Sequence, residues 1–539
     1  MIRLVEKYPI VSLLLFVVIM LGFTIDAIPV SIMEARNFIS AREMLTDDNW
    51  ILTTMNGEAR YQKPPLPTWI TAAFGYVFGI ANVLALRWPA LLFLAFTGIT
   101  IYLFSKKLEL QKSHSLLNGF IALSSFYCIG ITVEAPWDIY AHGFMIMAIY
   151  QLFQLLQKKT TDIVGSLLVV LFLSGSVLSK GPVSLYALFL PFLISYGITY
   201  KYKGGIVHFL KILSLIIFGI VLGGWWFFHV RFTDPATFTA IAERETSNWN
   251  SYNVRPFYYY WSFFVQSGMW TIPAFISLLY PYLKSRVRNL KAYKFSFFWT
   301  ILAVVLLSLI PEKKSRYLMP VLIPLAFNIG FYIDYLVREF KNLKAKKEII
   351  PVFFHFGLIA SICVLFWISG FFFGPFLSGS VLIRFIITAL ILLIIGIFIF
   401  KSLKIKNIKK SFYLTLVFIM SLGFLGLPLI NTQQQSDYNP VSSLNENKLK
   451  LYSLGGVAPE VIYNYGAKIP SISSEEGFII PDASEFHLLT STKASEAIDE
   501  LSKYFELEYV ETFDLNTVEK DAKAYKSRLV NTLYKLTRK

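Results

Sequence analysis

Long apolar blocks fill the first 430 positions and are separated by short polar stretches. Thirteen blocks stand out, centred on residues 9–26, 84–105, 115–134, 139–157, 162–178, 181–199, 208–230, 257–283, 294–310, 317–337, 350–373, 380–401 and 411–430. At about 1.5 Å of rise per residue, each is near the length that crosses a hydrocarbon layer about 30 Å thick. Lipid offers no partner to a free N–H or C=O, so each block is expected to be a helix. The first lacks a small-residue cleavage site and is expected to remain as a span. From about Thr432 the pattern changes. KLKLYSL, GFIIP and FHLLTST look like strands, and ASEAIDELSKYF carries apolar residues at helical spacing. The predicted fold class is an α-helical polytopic membrane protein with a small C-terminal α/β domain. Its expected parts are a membrane domain over residues 1–431, with a long first loop over 27–83, and a separate domain over 432–539.

Composition agrees: 55% of the 539 residues are hydrophobic. A net charge of +16 would suggest a nucleic-acid partner in a soluble chain. Here the charge falls in every second connection. Lys106, Lys107 and Lys112 lie in one such loop, Lys284, Arg286, Arg288, Lys291 and Lys294 in another, and Arg338, Lys341 and Lys344 in a third. Such loops stay on the cytoplasmic side. The first loop and the tail are therefore expected to face outward, from the cytoplasmic (inner) membrane toward the periplasm or exterior, with membrane lipids rather than nucleic acid as surroundings. The two cysteines, Cys128 and Cys363, lie inside apolar blocks, so neither a disulfide framework nor a cysteine metal site is expected.

Candidate chemistry gathers on the outward loops. Ser31-Ile-Met-Glu34 has capping-box spacing. Ala35, Phe38, Ala41 and Leu45 form a stripe opposite Arg36, Asn37, Ser40 and Glu43, which predicts an amphipathic helix lying on the membrane surface. Glu34 then either caps this helix or serves as a catalytic carboxylate. Arg36 sits near the helix start, where the macrodipole does not favour a cation, so an anionic ligand is one reason for it. Lys63 stands in a proline-stiffened loop, Gln62-Lys-Pro-Pro65, against the positive-inside bias. Asp138 opens the fourth span, where it either caps the helix or presents a carboxylate at the bilayer edge. Lys180, Arg255 and the run Lys313, Lys314, Arg316, Tyr317 add outward cations beside the membrane. Cations from several such loops suit a phosphate or pyrophosphate lipid head group. His142 and His229 lack the spacing of a metal site, so no metal site and no cofactor are expected; assistance by a divalent ion is left open by the sequence but not indicated by it.

Taken in order, EAR-x5-REM, NGE-x4-KPPLP, a Pro-Trp-Asp at the fourth span, SKGP and KKSRYLMPVLIP resemble the lipid A aminoarabinose transferases and their relatives. These are glycosyltransferases of GT-C fold, with the bacterial relatives of protein O-mannosyltransferases nearby. The resemblance runs over about residues 10–330. It implies a sugar donor carried on polyprenyl phosphate, attack by a lipid A-like lipid or glycan acceptor on the outer face, and inversion at the sugar carbon. It assigns Arg36, Lys63, Lys180, Arg255 and Tyr317 to the donor phosphate, and Glu34 or Asp138 to catalysis. Relatives carry Asp-Glu where this chain has Met33-Glu34. Their metal-ligand-like Glu and His are Gln62 and Asn250 here, which implies no zinc at that place. Transfer to protein Ser or Thr is an alternative. A lipid or solute transporter is another, but it would place charges near mid-membrane and repeat its architecture.

Overall fold

The computed structural model describes residues 2–134, 136–158, 162–202, 204–373, 377–430, 437–446, 449–474, 477–491 and 495–539. The chain divides into two compact units that do not follow one another along the sequence. One comprises Met1–Asp26, Tyr61–Pro67 and Arg87–Pro428; the other comprises Ala27–Arg60, Thr68–Leu86 and Leu429–Lys539.

The first unit is the membrane protein that the apolar blocks predict. Among the described residues, ten helices are long and apolar enough to span, from Pro9–Ala27 to Ile408–Leu429, and a bent pair makes up to eleven. The other expected spans survive in broken form. Block 115–134 is the bent pair Lys112–Ser124 and Phe126–Glu134, turned by 45°. It breaks at Ser125, whose backbone is extended. Block 181–199 is the shorter helix Leu185–Thr199, which opens on a π turn before Pro191. Proline lacks the N–H that would continue a regular ladder. Block 257–283 is a chain of short helices and 3₁₀ turns, not one long helix. Its turn comes at Gly268 (φ +67°), where an added Cβ would sit 2.6 Å from the Phe126 Cβ; only glycine meets both constraints.

One buried polar group of this unit shows the pairing that a low dielectric favours. Asn328 receives a hydrogen bond from Ser296 Oγ (2.7 Å) and donates to Thr300 Oγ1 (2.7 Å). Phe104, Phe153, Phe192, Phe295, Trp299 and Phe327 interlock with one another, with the Phe104 and Phe153 rings 5.0 Å apart. The Trp299 indole donates to the Leu188 carbonyl in the irregular turn (3.0 Å).

The second unit joins most of the first long loop to the tail. Asn56-Gly57 closes a small hairpin between β1 (Thr54–Met55) and β2 (Glu58–Ala59), both turn residues having positive φ. This is the pairing that an Asn-Gly turn favours. In the tail, β3 (Leu451–Leu454) precedes a small hairpin, β4 (Ser473–Ser474) and β5 (Gly477–Phe478), followed by β6 (Glu485–Ser491), β7 (Phe505–Asp514) and β8 (Val530–Arg538). The four-stranded sheet has the order β3-β6-β8-β7; β3 and β6 are parallel and the other pairs antiparallel. Strand alternation gives each face its own core: Leu489, Phe513 and Leu533 on one side, Leu488, Leu501 and Leu536 on the other.

Ile39, from the helix Ile32–Thr46, lies in the first of these cores. Phe38 packs on Tyr463 at 5.3 Å, and the Arg42 guanidinium donates to the Ala467 carbonyl (3.1 Å). Asn56 grips the backbone of Ile469 from both sides: Nδ2 donates to its carbonyl (2.8 Å) and Oδ1 accepts from its N–H (2.7 Å). This corrects the surface-helix expectation. Asn37, Ser40 and Glu43 are buried together with the apolar stripe. Glu43, 1% exposed, accepts from the Thr54 hydroxyl and the Asn56 and Gly57 N–H groups. Asn37 is held between Thr68 and Thr71. The polar face is covered by protein because the hairpin and the helix Leu66–Phe78 supply its partners.

Candidate active site

In the first unit the helix Pro136–Gln157 carries Asp138 in its first turn, and the helix Ile163–Lys180 ends with Lys180. The adjoining helices of this turn thus set a carboxylate at one N-terminus against an ammonium at the next C-terminus, an arrangement that both helix dipoles favour. Lys180 Nζ donates to Asp138 Oδ1. The side chains are 10% and 2% exposed, so this is a buried ion pair. Asp138 Oδ1 also lies 3.8 Å from His142 Nε2, one turn along the same helix, and His142 Nδ1 shares a hydrogen bond with the Ser184 hydroxyl at 2.9 Å. Asp138 Oδ2 is buried and has no hydrogen-bond partner among the described residues.

The Lys180 ammonium sits 5.5 Å from the centre of the Tyr317 ring. The Tyr317 hydroxyl donates to Glu312 (3.2 Å), which is paired with Lys314 at 2.5 Å. The loop carrying these residues is latched to the one carrying Arg255. The Arg255 N–H donates to the Pro311 carbonyl (3.2 Å), and Lys313 N–H to that of Asn253 (3.1 Å). Lys313 Nζ donates inward to the carbonyls of Arg255 (3.0 Å) and Ile310 (2.5 Å). Burial pushes this ammonium down from its ordinary pKa. Lys313 is therefore a structural latch rather than an open cation. The Arg255 side chain is exposed and has no partner among the described residues.

Lys63 is half-buried in the segment Tyr61–Pro67 of the same unit. Its neighbour Tyr61 donates to Asp234 Oδ2 (3.1 Å) and meets Trp226 edge-on at 6.3 Å. Burial and this hydrogen bond push the Tyr61 phenol up to about 12.

Glu34 and Arg36 belong to the second unit. Glu34 is 1% exposed and completes the capping box: Oε2 accepts from the Ser31 N–H (3.0 Å) while its own N–H donates to Ser31 Oγ (3.2 Å). Arg60 donates to the Arg36 carbonyl (2.9 Å). Burial, then the Arg36 charge, pulls the Arg60 guanidinium down to about 9. Two guanidinium groups held close favour an anion beside them.

The structure thus brings Asp138, Lys180 and Tyr317 into one cluster and ties the Arg255 loop to it. His142, Ser184 and Glu312 were not among the site residues expected from sequence; His142 had the i, i+4 spacing to Asp138 that signals a shared helix face. Among the described residues, no group of three or more His, Cys, Asp or Glu side chains could hold a metal ion. The side chain of Asn250 lies outside the described residues.

Known proteins resemble this chain in sequence and in fold. A family model described as dolichyl-phosphate-mannose-protein mannosyltransferase matches residues 62–225. A protein of Aquifex aeolicus (strain VF5) is 26% identical over 313 residues, 56% of this chain and 60% of that protein. An undecaprenyl phosphate-alpha-4-amino-4-deoxy-L-arabinose arabinosyl transferase of Wigglesworthia glossinidia brevipalpis is 25% identical over 325 residues, 59% of this chain and 56% of the relative. The chain therefore spans less than two thirds of the length of these relatives. The crystal structure of ArnT from Cupriavidus metallidurans bound to undecaprenyl phosphate matches with a TM-score of 0.65 at 13% identity, over 99% of this chain and 97% of that one. The expected GT-C fold is thus the observed one.

Proposed function

We propose that this protein is a membrane glycosyltransferase that moves a sugar from a polyprenyl-phosphate donor to a lipid or glycan acceptor on the outer face of the cytoplasmic membrane. The arabinosyl transferase relative and the undecaprenyl phosphate bound to ArnT support the donor class. The observation that carries the reading is the buried Asp138–Lys180 pair beneath Tyr317. A buried pair of this kind is costly to build and adds little to stability over an apolar pair. A site that must stabilise charge on a leaving phosphate gives it a purpose.

In this reading, Lys180, Arg255 and Lys63 hold the carrier phosphate, with the Tyr317 ring beside the Lys180 ammonium. The acceptor oxygen bonds to the anomeric carbon from the face opposite the carrier. The bond from that carbon to the phosphate oxygen breaks, and the electron pair leaves on the phosphate, whose charge the cations balance. The configuration inverts. Asp138 is better suited than Glu34 to face a hydroxyl acceptor. Lys180 fixes Oδ1 and leaves the buried Oδ2 to take the proton, whereas Glu34 Oε2 is engaged in its helix cap. A phosphate acceptor is already an anion and needs no base. No metal takes part in this account; positions 62 and 250 are Gln and Asn, whose amides are weak metal ligands.

The test is glycolipid transfer in membranes carrying Asp138→Asn or Lys63→Ala. Each variant is expected to lose most activity, and full activity in both would overturn the assignment.

A further inference from the structure

At the other end of the spans lies a polar cavity of about 450 Å³. From Tyr317 to Asp334, 17 residues along Ser315–Glu339, the helix rises about 25 Å. The wall is built by two lysine-rich loops and the spans that they join: Glu109, Gln111 and His114 on one side, Arg288, Phe331 and Asp334 on the other. His114 is 4% exposed. Its Nδ1 is 3.9 Å from Asp334 Oδ2, its ring meets Phe331 edge-on at 4.8 Å, and its Nε2 has no hydrogen-bond partner among the described residues. Asp334 is held by Arg338 Nε at 2.9 Å, which fixes the carboxylate. The Arg288 side chain is exposed and has no partner among the described residues.

A buried imidazole nitrogen without a partner costs free energy that an apolar side chain would avoid. Its position in a cavity wall, close to a fixed carboxylate and an unpaired guanidinium, gives a ligand the means to offset that cost. Charge sorts the ligands. An anion alone would meet two carboxylates, Asp334 and Glu109; a simple cation would meet Arg288. A group carrying both signs satisfies both. The rim adds apolar surface from Leu110 and from Leu290, which is 46% exposed.

We propose that this cavity binds the head group of a zwitterionic phospholipid, a phosphate diester bearing a primary amine. Arg288 and His114 Nε2 take the phosphate oxygens, Asp334 and Glu109 take the ammonium, and the acyl chains leave over Leu290 toward the bilayer. The site is separate from the Asp138–Lys180 cluster and does not rest on the transferase reading.

The test uses the full-length protein, delipidated in detergent, with phosphatidylethanolamine, phosphatidylglycerol, soluble phosphoethanolamine and inorganic phosphate as probes. Native mass spectrometry counts retained lipid, and thermal unfolding reads its effect. Phosphatidylethanolamine is expected to be retained and to raise the melting temperature, with phosphatidylglycerol and phosphate doing neither. Arg288→Gln, a surface change, is expected to weaken retention about tenfold through loss of a charge-assisted contact. His114→Phe is expected to weaken it as well while leaving the fold intact. Equal retention of both phospholipids, or unchanged retention in both variants, would overturn the proposal. Soluble phosphoethanolamine binding as tightly as the lipid would overturn the lipid assignment.

Discussion

Replacing Lys180 by Met separates the energetics of the buried pair from its chemistry. Asp138 is 2% exposed and its Oδ2 has no partner among the described residues, so Lys180 is the ammonium that balances its charge. Removing one partner of a buried pair typically costs about 3–5 kcal/mol, because the other charge stays behind. Lys180→Met should lose about that much stability. Asp138→Asn should lose less, since Lys180 still has the Tyr317 ring beside it. The double variant should recover most of the loss, because a neutral pair of similar size needs no compensation. Activity should not recover with it. Losing fixed positive charge at the leaving phosphate costs about 10²–10³-fold in rate, and the double variant still lacks it. The assay pairs equilibrium unfolding in mixed micelles with transfer measured on the same preparations. A Lys180→Met protein as stable as wild type would refute the reasoning, as would a double variant no more stable than that single one.

Glu34→Gln separates cap from catalyst. Glutamine keeps the capping box, so stability should change by less than about 0.5 kcal/mol; a large loss of transfer at unchanged stability would move the catalytic role from Asp138 to Glu34. Asn56→Ala removes both hydrogen bonds to Ile469 and should cost the second unit about 1–3 kcal/mol, read as faster cleavage of the first loop and tail in limited proteolysis. Gly268→Ala meets a positive φ and the Phe126 side chain together and should cost about 1–3 kcal/mol in thermal unfolding. Chelation with EDTA should leave the rate of sugar transfer unchanged, because the amides of Gln62 and Asn250 are poor metal ligands.

The spans were legible because lipid leaves an apolar block little choice but helix. Their interruptions were less legible. Gly268 and Pro273 sit in block 257–283 as ordinary letters, and prolines also occur inside regular spans, such as Pro324 in Met319–Glu339. What decides is whether neighbouring side chains satisfy the freed backbone groups, and that is a tertiary property. The helix after Ser31 shows the same limit. Its cap was readable residue by residue, but its polar face was assigned to solvent because its partners, a hairpin and a threonine pair, lie elsewhere in the chain. The tail was readable as strands and helices; that Ile39 enters its core was not, since more than 400 residues separate them. At the candidate site, Asp138, Lys180 and Tyr317 could be named from motif and loop side. Lys313 could not be distinguished from its neighbours, because only the fold turns its ammonium inward.

The most direct test of the central claim is mass spectrometry of envelope lipids and glycoproteins from cells that lack this protein, carry it, or carry Asp138→Asn. The account predicts that the first and third lack one sugar mass on an envelope glycolipid or glycan and accumulate the matching polyprenyl-phosphate sugar. Identical profiles in all three would contradict it.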